Sequence, residues 1–343
     1  MAKRTEISTL GKFGLIDRFA SRFAEQNTSS HSSVGINSAV GDFVGETTVV
    51  ATVLFTEGVD FDLTCFPLKH LGWKTVVAAC SAVLAKGGRA QQVLLSLGIS
   101  ARFSVEMIDE FAEGVEAAAG AYHVDLSAVN LSASINGFTI AATSVGSVAK
   151  EQLVGIDGAH KNDVVCLTGD LGAAYMGLKL LERERIAFDG HPSPNPDFKG
   201  KEYILGRYLR PELRVDVLEQ LSLEGVVPSA MTVVADGLSS DMLQICKASV
   251  CGVRLYLDRL AIASQTHEFA DEIGADPVVA ALNGGNDYEL LFTVPLADQP
   301  KVARIGCIDF IGHITDAERG TVMVTPDGSE IALSAPGFVR KRE

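Results

Sequence analysis

Long apolar runs are missing from this sequence of 343 residues. The longest, residues 75–85, lies between Lys74 and Lys86 and is much shorter than the roughly 20 residues that a membrane-spanning helix needs. The N-terminal segment has basic residues but no apolar stretch behind them, so it does not predict a secretory signal. We therefore expect neither a membrane anchor nor export.

Basic residues are scarce as well. The sequence has 29 Lys and Arg against 43 Asp and Glu, which gives a net charge of −14. Nucleic acids and anionic membrane surfaces are bound by clustered Lys and Arg, so we expect neither as a partner.

Common catalytic motifs are absent. The sequence contains no G-x-x-x-x-G-K-[ST], no G-x-G-x-x-G after the first strand, no H-E-x-x-H and no G-x-S-x-G, and its seven histidines show no metal-ligand spacing.

Cysteines are few and form no C-x-x-C pair. A disulfide scaffold is not expected at this size, and a reduced, cytoplasmic protein is the simplest interpretation. The six cysteines are Cys65, Cys80, Cys166, Cys246, Cys251 and Cys307.

What is present is an alternation of strand-like and helix-like segments that restarts after Lys150, and the length favours two domains. We predict an α/β protein with domains 1–150 and 151–343. Predicted strands cover residues 47–55, 90–99, 138–148, 163–167, 253–257 and 289–294, and predicted helices cover 67–86, 104–121, 173–184, 212–223 and 239–248. Residues 189–200 are rich in turn formers and predict a surface loop.

Three glycine-bearing loops in the second half are candidates for a ligand site. Residues 168–172 join a strand to a helix, a geometry that presents backbone N–H groups to an anion, although a plain structural turn is the favoured explanation of this loop taken alone. In residues 235–241, Asp236 stands at a helix start, where N-capping is the simpler role. In residues 283–290, Asp287 and Glu289 alternate, which predicts that both side chains lie on one face.

These loops occur within longer strings that resemble a known family. TEISTLGKFGLID (5–17), EGVDFDLTCFPLKHLGWK (57–74), TGDLGAAYMGLKLLERE (168–184), ADGLSSDMLQICK (235–247) and NGGNDYELLFTVPLAD (283–298) resemble bacterial thiamine-monophosphate kinase over nearly the whole chain. The resemblance implies the aminoimidazole-ribonucleotide-synthetase-like fold, in which the N-terminal sheet closes a barrel across a dimer. It also implies a reaction that transfers the γ-phosphoryl group of ATP to thiamine phosphate with the help of Mg²⁺.

The positions at which the family places metal and ATP ligands depart from its pattern. Ile36 and Asn37 stand where the family has two aspartates, Asp60 replaces a substrate-facing histidine, and Ile156 stands where an arginine is expected. In all, the replaced positions are Ile36, Asn37, Val53, Asp60, Ala82, Asn130, Ile156, Val233, Ala235 and Asn286, and the retained ones are Gly169, Gly172, Asp236, Asp287 and the C-terminal aromatic Phe338.

Mg²⁺ requires hard oxygen ligands, which isoleucine, valine and alanine do not offer. We therefore expect a catalytically inactive pseudokinase that needs neither ATP nor Mg²⁺ as a cofactor. The alternatives are an active kinase whose metal site is rebuilt from Asp42, Asp60 or Asp241, or an enzyme with different chemistry in the same cleft. Asp236 and Asp287 are explained equally well as a helix cap and a turn stabiliser.

We also expect dimerisation through the N-terminal domain, either with itself or with an active paralogue. Strands 47–55 and 90–99 are apolar, and each is expected to leave an exposed edge in an isolated domain.

Overall fold

The structure is a computed structural model that describes residues 5–6, 9–10, 15, 18–19, 21–23, 27, 35–36, 43, 45–188 and 198–335. The chain divides into two compact units, Met1–Leu84 with Gly88–Glu151, and Ala85–Gly87 with Gln152–Glu343.

The described residues of the first unit form a mixed five-stranded sheet and two long helices. Its strands are β1 (Gly35–Ile36), β2 (Thr47–Thr56), β3 (Arg89–Ser100), β4 (Asp125–Ser134) and β5 (Phe138–Val148), in the spatial order β1-β4-β3-β5-β2. The helices are α1 (Leu68–Leu84) and α2 (Val105–Tyr122). As predicted, Ser104 caps α2, and its side chain accepts a hydrogen bond from the Met107 N–H.

Two glycines allow α1 and α2 to pack closely. A Cβ at Gly72 would lie 2.1 Å from the Phe111 carbonyl oxygen, and one at Gly114 would lie 1.8 Å from the Lys69 carbonyl oxygen. Larger residues at either position would push the helices apart, so these glycines set the spacing of the helix layer.

The prediction that both apolar strands have exposed edges is wrong for β3. That strand pairs with β4 on one side and β5 on the other. The error arose because β4, which pairs in parallel with β3, was not predicted as a strand. Among the described residues β2 pairs only with β5, and its Val50 and Leu54 side chains are exposed.

The second unit contains a seven-stranded mixed sheet. Its strands are β6 (Val164–Thr168), β7 (Ala230–Val233), β8 (Gly252–Tyr256), β9 (Leu290–Val294), β10 (Ile308–Thr315), β11 (Thr321–Val324) and β12 (Glu330–Ala332), in the order β12-β11-β8-β10-β6-β9-β7. Its helices are α3 (Ala173–Phe188), α4 (Glu202–Leu209), α5 (Val215–Leu223), α6 (Leu238–Ser249), α7 (Ser264–Ile273), α8 (Pro277–Asn283) and the short α9 (Gln299–Val302).

The core of this unit explains why its central strands are largely apolar. Every residue of β6 and β9 is buried, because helices or loops cover both faces of these strands. One core cluster joins β6, β8 and β10 to α6, and a second joins α3, α4, α7 and α8. The mixed α/β architecture with two sheets is as predicted. None of the helices within the described ranges is long and apolar enough to cross a membrane.

Candidate functional site

The three glycine-bearing loops meet at one end of the second sheet. The N–H of Asn286 donates to the Ala235 carbonyl (2.8 Å), and the N–H of Tyr288 donates to the Val234 carbonyl (2.9 Å). Gly285 has a φ of +69°, and a Cβ on it would lie 2.4 Å from the Ala235 carbonyl oxygen. The two loops therefore pack backbone against backbone, a contact that only glycine at position 285 allows.

Asp287 connects these loops to the third one. Its carboxylate accepts hydrogen bonds from the N–H groups of Gly172 (3.1 Å) and Ala174 (3.3 Å), at the N-terminus of α3. The side chain is 1% exposed, and burial raises its pKa to about 7, although Arg207 and the two N–H donors oppose the rise. The anion at this helix N-terminus is thus the protein's own carboxylate, which occupies the favourable end of the helix dipole.

Glu289 is the centre of a buried ion cluster. Its Oε1 accepts hydrogen bonds from Arg207 (2.7 Å) and from the Nη2 of Arg214 (2.6 Å), and its Oε2 accepts from the Nε of Arg214 (2.7 Å). The Thr168 hydroxyl donates to Oε2 at 2.5 Å and accepts from the Leu290 N–H at 2.9 Å. Glu289 is 1% exposed, so each of its oxygens is engaged inside the protein.

The expectation that Asp287 and Glu289 share a face rested on strand alternation, and that reason is wrong. The backbone at Asn286 and Tyr288 has positive φ values, 64° and 55°, and β9 begins only at Leu290. Both carboxylates interact electrostatically with Arg207. Burial of Arg207 lowers its pKa, but the charges of its neighbours, chiefly Glu289 and Asp287, outweigh this effect and raise it.

The loop 168–172 closes over the same cluster. Gly169 has a φ of +56°, and a Cβ on it would lie 2.4 Å from the Glu289 carboxylate. The Tyr203 hydroxyl donates to Asp170, and Arg207 also donates to the Asp170 carbonyl at 3.0 Å. Gly169 is therefore required by close packing against a side chain of the same unit.

Asp241, one of the candidates for a rebuilt metal site, is also engaged internally. Its Oδ2 accepts hydrogen bonds from the N–H groups of Ala235 (3.0 Å) and Asp236 (3.1 Å). Burial, followed by the charge of Asp236, raises the pKa of Asp241 to about 7. The suggested N-cap role of Asp236 is wrong, because Gly237 is the N-cap residue of α6 and Asp236 itself is exposed.

The replaced positions of the first unit lie on separate elements. Val53 is on β2, Ala82 on α1 and Asn130 on β4, and all three are half-buried. Ile36 is on β1, and three strands lie between β1 and β2 in the sheet order. Asp60 is exposed, and its carboxylate accepts a hydrogen bond from the Thr56 N–H at 2.7 Å. Asn37, Asp42 and Phe338 lie outside the described residues.

Three of the four replaced positions of the second unit lie in or beside its glycine-bearing loops, whereas the Ile156 carbonyl is bonded to Ser249 at the C-terminal end of α6. Val233 ends β7 and is 8% exposed, Ala235 and Asn286 are half-buried in the paired loops, and Ile156 packs against the core cluster of α6. None of these four side chains carries a charge, and only Asn286 has a polar group.

A magnesium cluster does not fit the donors that are present. Two of the buried carboxylates, Asp287 and Asp241, are bonded to backbone N–H groups, and Glu289 is bonded to two arginines and a threonine. Within the ranges that the structure describes, no group of three or more His, Cys, Asp and Glu residues is arranged to hold a metal ion. Val53, Ala82 and Val233 supply no oxygen, so we derive no catalytic step through a metal.

Sequence reasoning missed the arginines of this site. Arg207 and Arg214 belong to the segment YILGRYLRPELRV, which carries no recognised ligand motif. A signal was present, because a glutamate directly before a largely apolar strand needs a cationic partner if it is buried. The sequence does not show which of the nearby arginines supplies the partner.

Comparisons with known proteins agree with this architecture. A family model described as AIR synthase related protein, N-terminal domain, matches residues 35–148. A thiamine-monophosphate kinase of Aquifex aeolicus is 28% identical over 289 residues, which cover 84% of this chain and 87% of that protein.

Two solved structures match along most of the chain. AaThiL complexed with AMPPCP and TMP is 27% identical with a TM-score of 0.73, and the match covers 94% of this chain and 96% of that one. A thiamine-monophosphate kinase from Stenotrophomonas maltophilia K279a is 25% identical with a TM-score of 0.77, covering 92% and 96%.

Proposed function

The chain belongs to the thiamine-monophosphate kinase family within the AIR synthase-like superfamily, and we propose that it is an inactive member of that family. The family reaction converts ATP and thiamine phosphate into ADP and thiamine diphosphate. The related AaThiL forms a complex with AMPPCP and TMP. In our proposal this chain keeps the fold and has lost the phosphoryl transfer.

One observation carries the proposal: the buried acidic groups at the loop end of the second sheet are bonded within the protein. Asp287 is bonded to the N-terminus of α3, and Asp241 is bonded to the Ala235 and Asp236 N–H groups. Phosphoryl transfer depends on metal ions that neutralise the charge on the transferred group, and such ions need free carboxylate oxygens. Asp236 is the one acidic side chain of the paired loops 233–237 and 284–288 that is exposed.

The alternative of a rebuilt metal site has less support. Of its three candidate carboxylates, Asp60 bonds its own turn and Asp241 bonds the loop before α6. Asp42 lies outside the described residues. A different chemistry in the same cleft has no specific observation in its favour.

The test is a direct assay of thiamine diphosphate formation from ATP, Mg²⁺ and thiamine phosphate, with the Bacillus subtilis thiamine-monophosphate kinase as positive control. We expect no product above background. Turnover near the lower end of the kinase range, about 1 per second, that EDTA abolishes would overturn the proposal.

An Asp236→Asn variant is the matched control for contamination. Activity that survives in this variant at the same level indicates a contaminating host kinase. Activity that disappears with the Asp236 carboxylate belongs to this protein and supports the alternative of a working site.

We further propose that the first unit mediates dimerisation, with a second copy or with an active paralogue. Support comes from β2, a ten-residue strand that carries the exposed apolar side chains Val50 and Leu54. Long apolar edges are normally covered in folded proteins. Light scattering at micromolar concentration is the measurement, and a strictly monomeric protein that also fails to bind the paralogue would count against the proposal.

A further inference from the structure

Cys246 and Cys251 are the first and last residues of a helix C-capping motif at the end of α6. Helix α6 ends at Ser249, and Val250 follows in the left-handed conformation with a φ of 52°. The N–H of Cys251 donates to the Cys246 carbonyl at 3.0 Å, which is the six-residue hydrogen bond of a Schellman motif. In that motif the side chains of the first and last residues frequently contact each other.

The backbone geometry brings the two cysteines within disulfide range. Because a hydrogen bond of 3.0 Å joins the carbonyl of one to the N–H of the other, their Cα atoms can be at most roughly 7 Å apart. Disulfides span Cα separations of about 4.4–6.8 Å. Both residues are free thiols that pack on the same core cluster.

The turn between the cysteines is held firmly in place. The Ser249 hydroxyl donates to the Ile156 carbonyl (3.3 Å) and accepts from the Ala159 N–H (3.1 Å). Val250, a β-branched residue that is 79% exposed, adopts a backbone conformation that such residues rarely take. The tight turn is thus maintained despite an unfavourable residue, and it keeps the cysteines adjacent.

We propose that Cys246 and Cys251 form an oxidisable dithiol site, which peroxides or small disulfides convert reversibly into an intramolecular disulfide. Cys251 is half-buried and is the residue that meets the oxidant, whereas Cys246 is 4% exposed and acts second. The site lies at the opposite end of α6 from the loop of Asp236 and does not depend on the proposed loss of kinase activity.

The pKa shifts of the two thiols agree with Cys251 reacting first and Cys246 second. The interaction between the two thiols lowers the pKa of Cys251 and raises that of Cys246. The thiolate is the nucleophilic form of cysteine, so Cys251 is the better attacking group.

The reaction balances with hydrogen peroxide as the oxidant. The Cys251 sulfur attacks one peroxide oxygen, the O–O bond breaks, and the departing hydroxide takes a proton to become water, which leaves Cys251 as a sulfenic acid. The Cys246 sulfur then attacks the Cys251 sulfur, the S–O bond breaks, and the second hydroxide takes the Cys246 proton and leaves as water. A thiol reductant reverses the change by thiol–disulfide exchange.

The test uses the full chain carrying Cys307→Ser, because Cys307 is exposed and would otherwise form disulfides between molecules. The folded protein is treated with peroxide, alkylated and digested with trypsin, which cleaves after Lys247 between the two cysteines. We expect two tryptic peptides joined by a disulfide, a loss of two titratable thiols, and full recovery with dithiothreitol. Recovery of both cysteines as alkylated peptides would overturn the proposal.

Two conservative variants separate the roles of the cysteines. In Cys246→Ser, the second thiol is missing, so Cys251 should accumulate as a sulfenic acid that dimedone traps. In Cys251→Ser, Cys246 should remain reduced because it is buried. Equal dimedone labelling of the lone, half-buried Cys65 and of Cys251 would show general oxidation and would also refute the assignment.

Discussion

Replacing Glu289 with glutamine should destabilise the second unit strongly, because it leaves two arginines without their counter-charge. Glu289 is 1% exposed, and the side chains of Arg207 and Arg214 are 11% and 20% exposed. Removing one partner of a buried ion pair costs about 3–5 kcal/mol. Since the arginines keep some contact with water, we expect a loss near 3 kcal/mol.

This loss of stability can be measured as a fall in the melting temperature. For a domain of 150–250 residues, 1 kcal/mol corresponds to roughly 2–4 °C, so Glu289→Gln should lower the melting temperature of the second unit by about 6–12 °C. Far-UV circular dichroism follows the unfolding. The single tryptophan, Trp73, lies in α1, so its fluorescence reports on the first unit separately.

Glu330→Gln is the matched control, since it makes the same change in an ion pair that is more accessible to water. Glu330 pairs with Arg254, and their side chains are 39% and 30% exposed. Exposed pairs contribute less than about 1 kcal/mol. If Glu289→Gln lowers the melting temperature no more than Glu330→Gln does, the buried cluster does not stabilise the fold as argued.

Three further outcomes are expected. The pKa of Asp241 is about 7 in the folded state and near 3.9 in the unfolded state, so its contribution to stability is present below about pH 4 and is lost as the pH rises towards 7. Asp241→Asn should therefore flatten the curve of stability against pH between about pH 4 and 7. An unchanged slope would contradict the burial argument. Gly169→Ala should lower the free energy of unfolding in urea more than Gly225→Ala does. Both glycines have positive φ, but only a Cβ at residue 169 would collide with Glu289. Equal losses of stability would contradict the packing described for Gly169. Mg²⁺-ATP should leave the melting temperature of the unmodified protein almost unchanged. A specific ligand at 100 times its dissociation constant would instead add about 2.7 kcal/mol to the free energy of unfolding and raise the melting temperature.

Strands and helices were predictable where the local pattern and the tertiary environment agree. The apolar run before Thr168 and the amphipathic segment after Gly172 predicted β6 and α3. β4 was missed because its sequence, DLSAVNLSAS, is rich in serine and carries no strong strand signal. Its conformation comes from pairing with β3, which only the folded chain supplies.

The candidate site was predictable as a set of loops and not as a set of contacts. Glycine and aspartate strings identified residues 168–172, 235–241 and 283–290. The partner of Asp287 is a pair of N–H groups more than 110 residues earlier, and the partners of Glu289 are arginines 75 and 82 residues earlier. Such pairings depend on sheet order, which residue spacing does not encode.

The internal bonding of the acidic residues also explains how this chain can keep its fold without a metal. Buried carboxylates that face each other repel and lose hydration, and both effects are relieved either by a cation or by hydrogen-bond donors. Here backbone N–H groups serve Asp287 and Asp241, and arginines serve Glu289. Apolar residues at 53, 82 and 233 add no further charge to be balanced. Each of these buried carboxyl groups therefore has hydrogen-bond donors or arginines within the second unit, and this internal bonding is the physical basis of the inactive state that we propose.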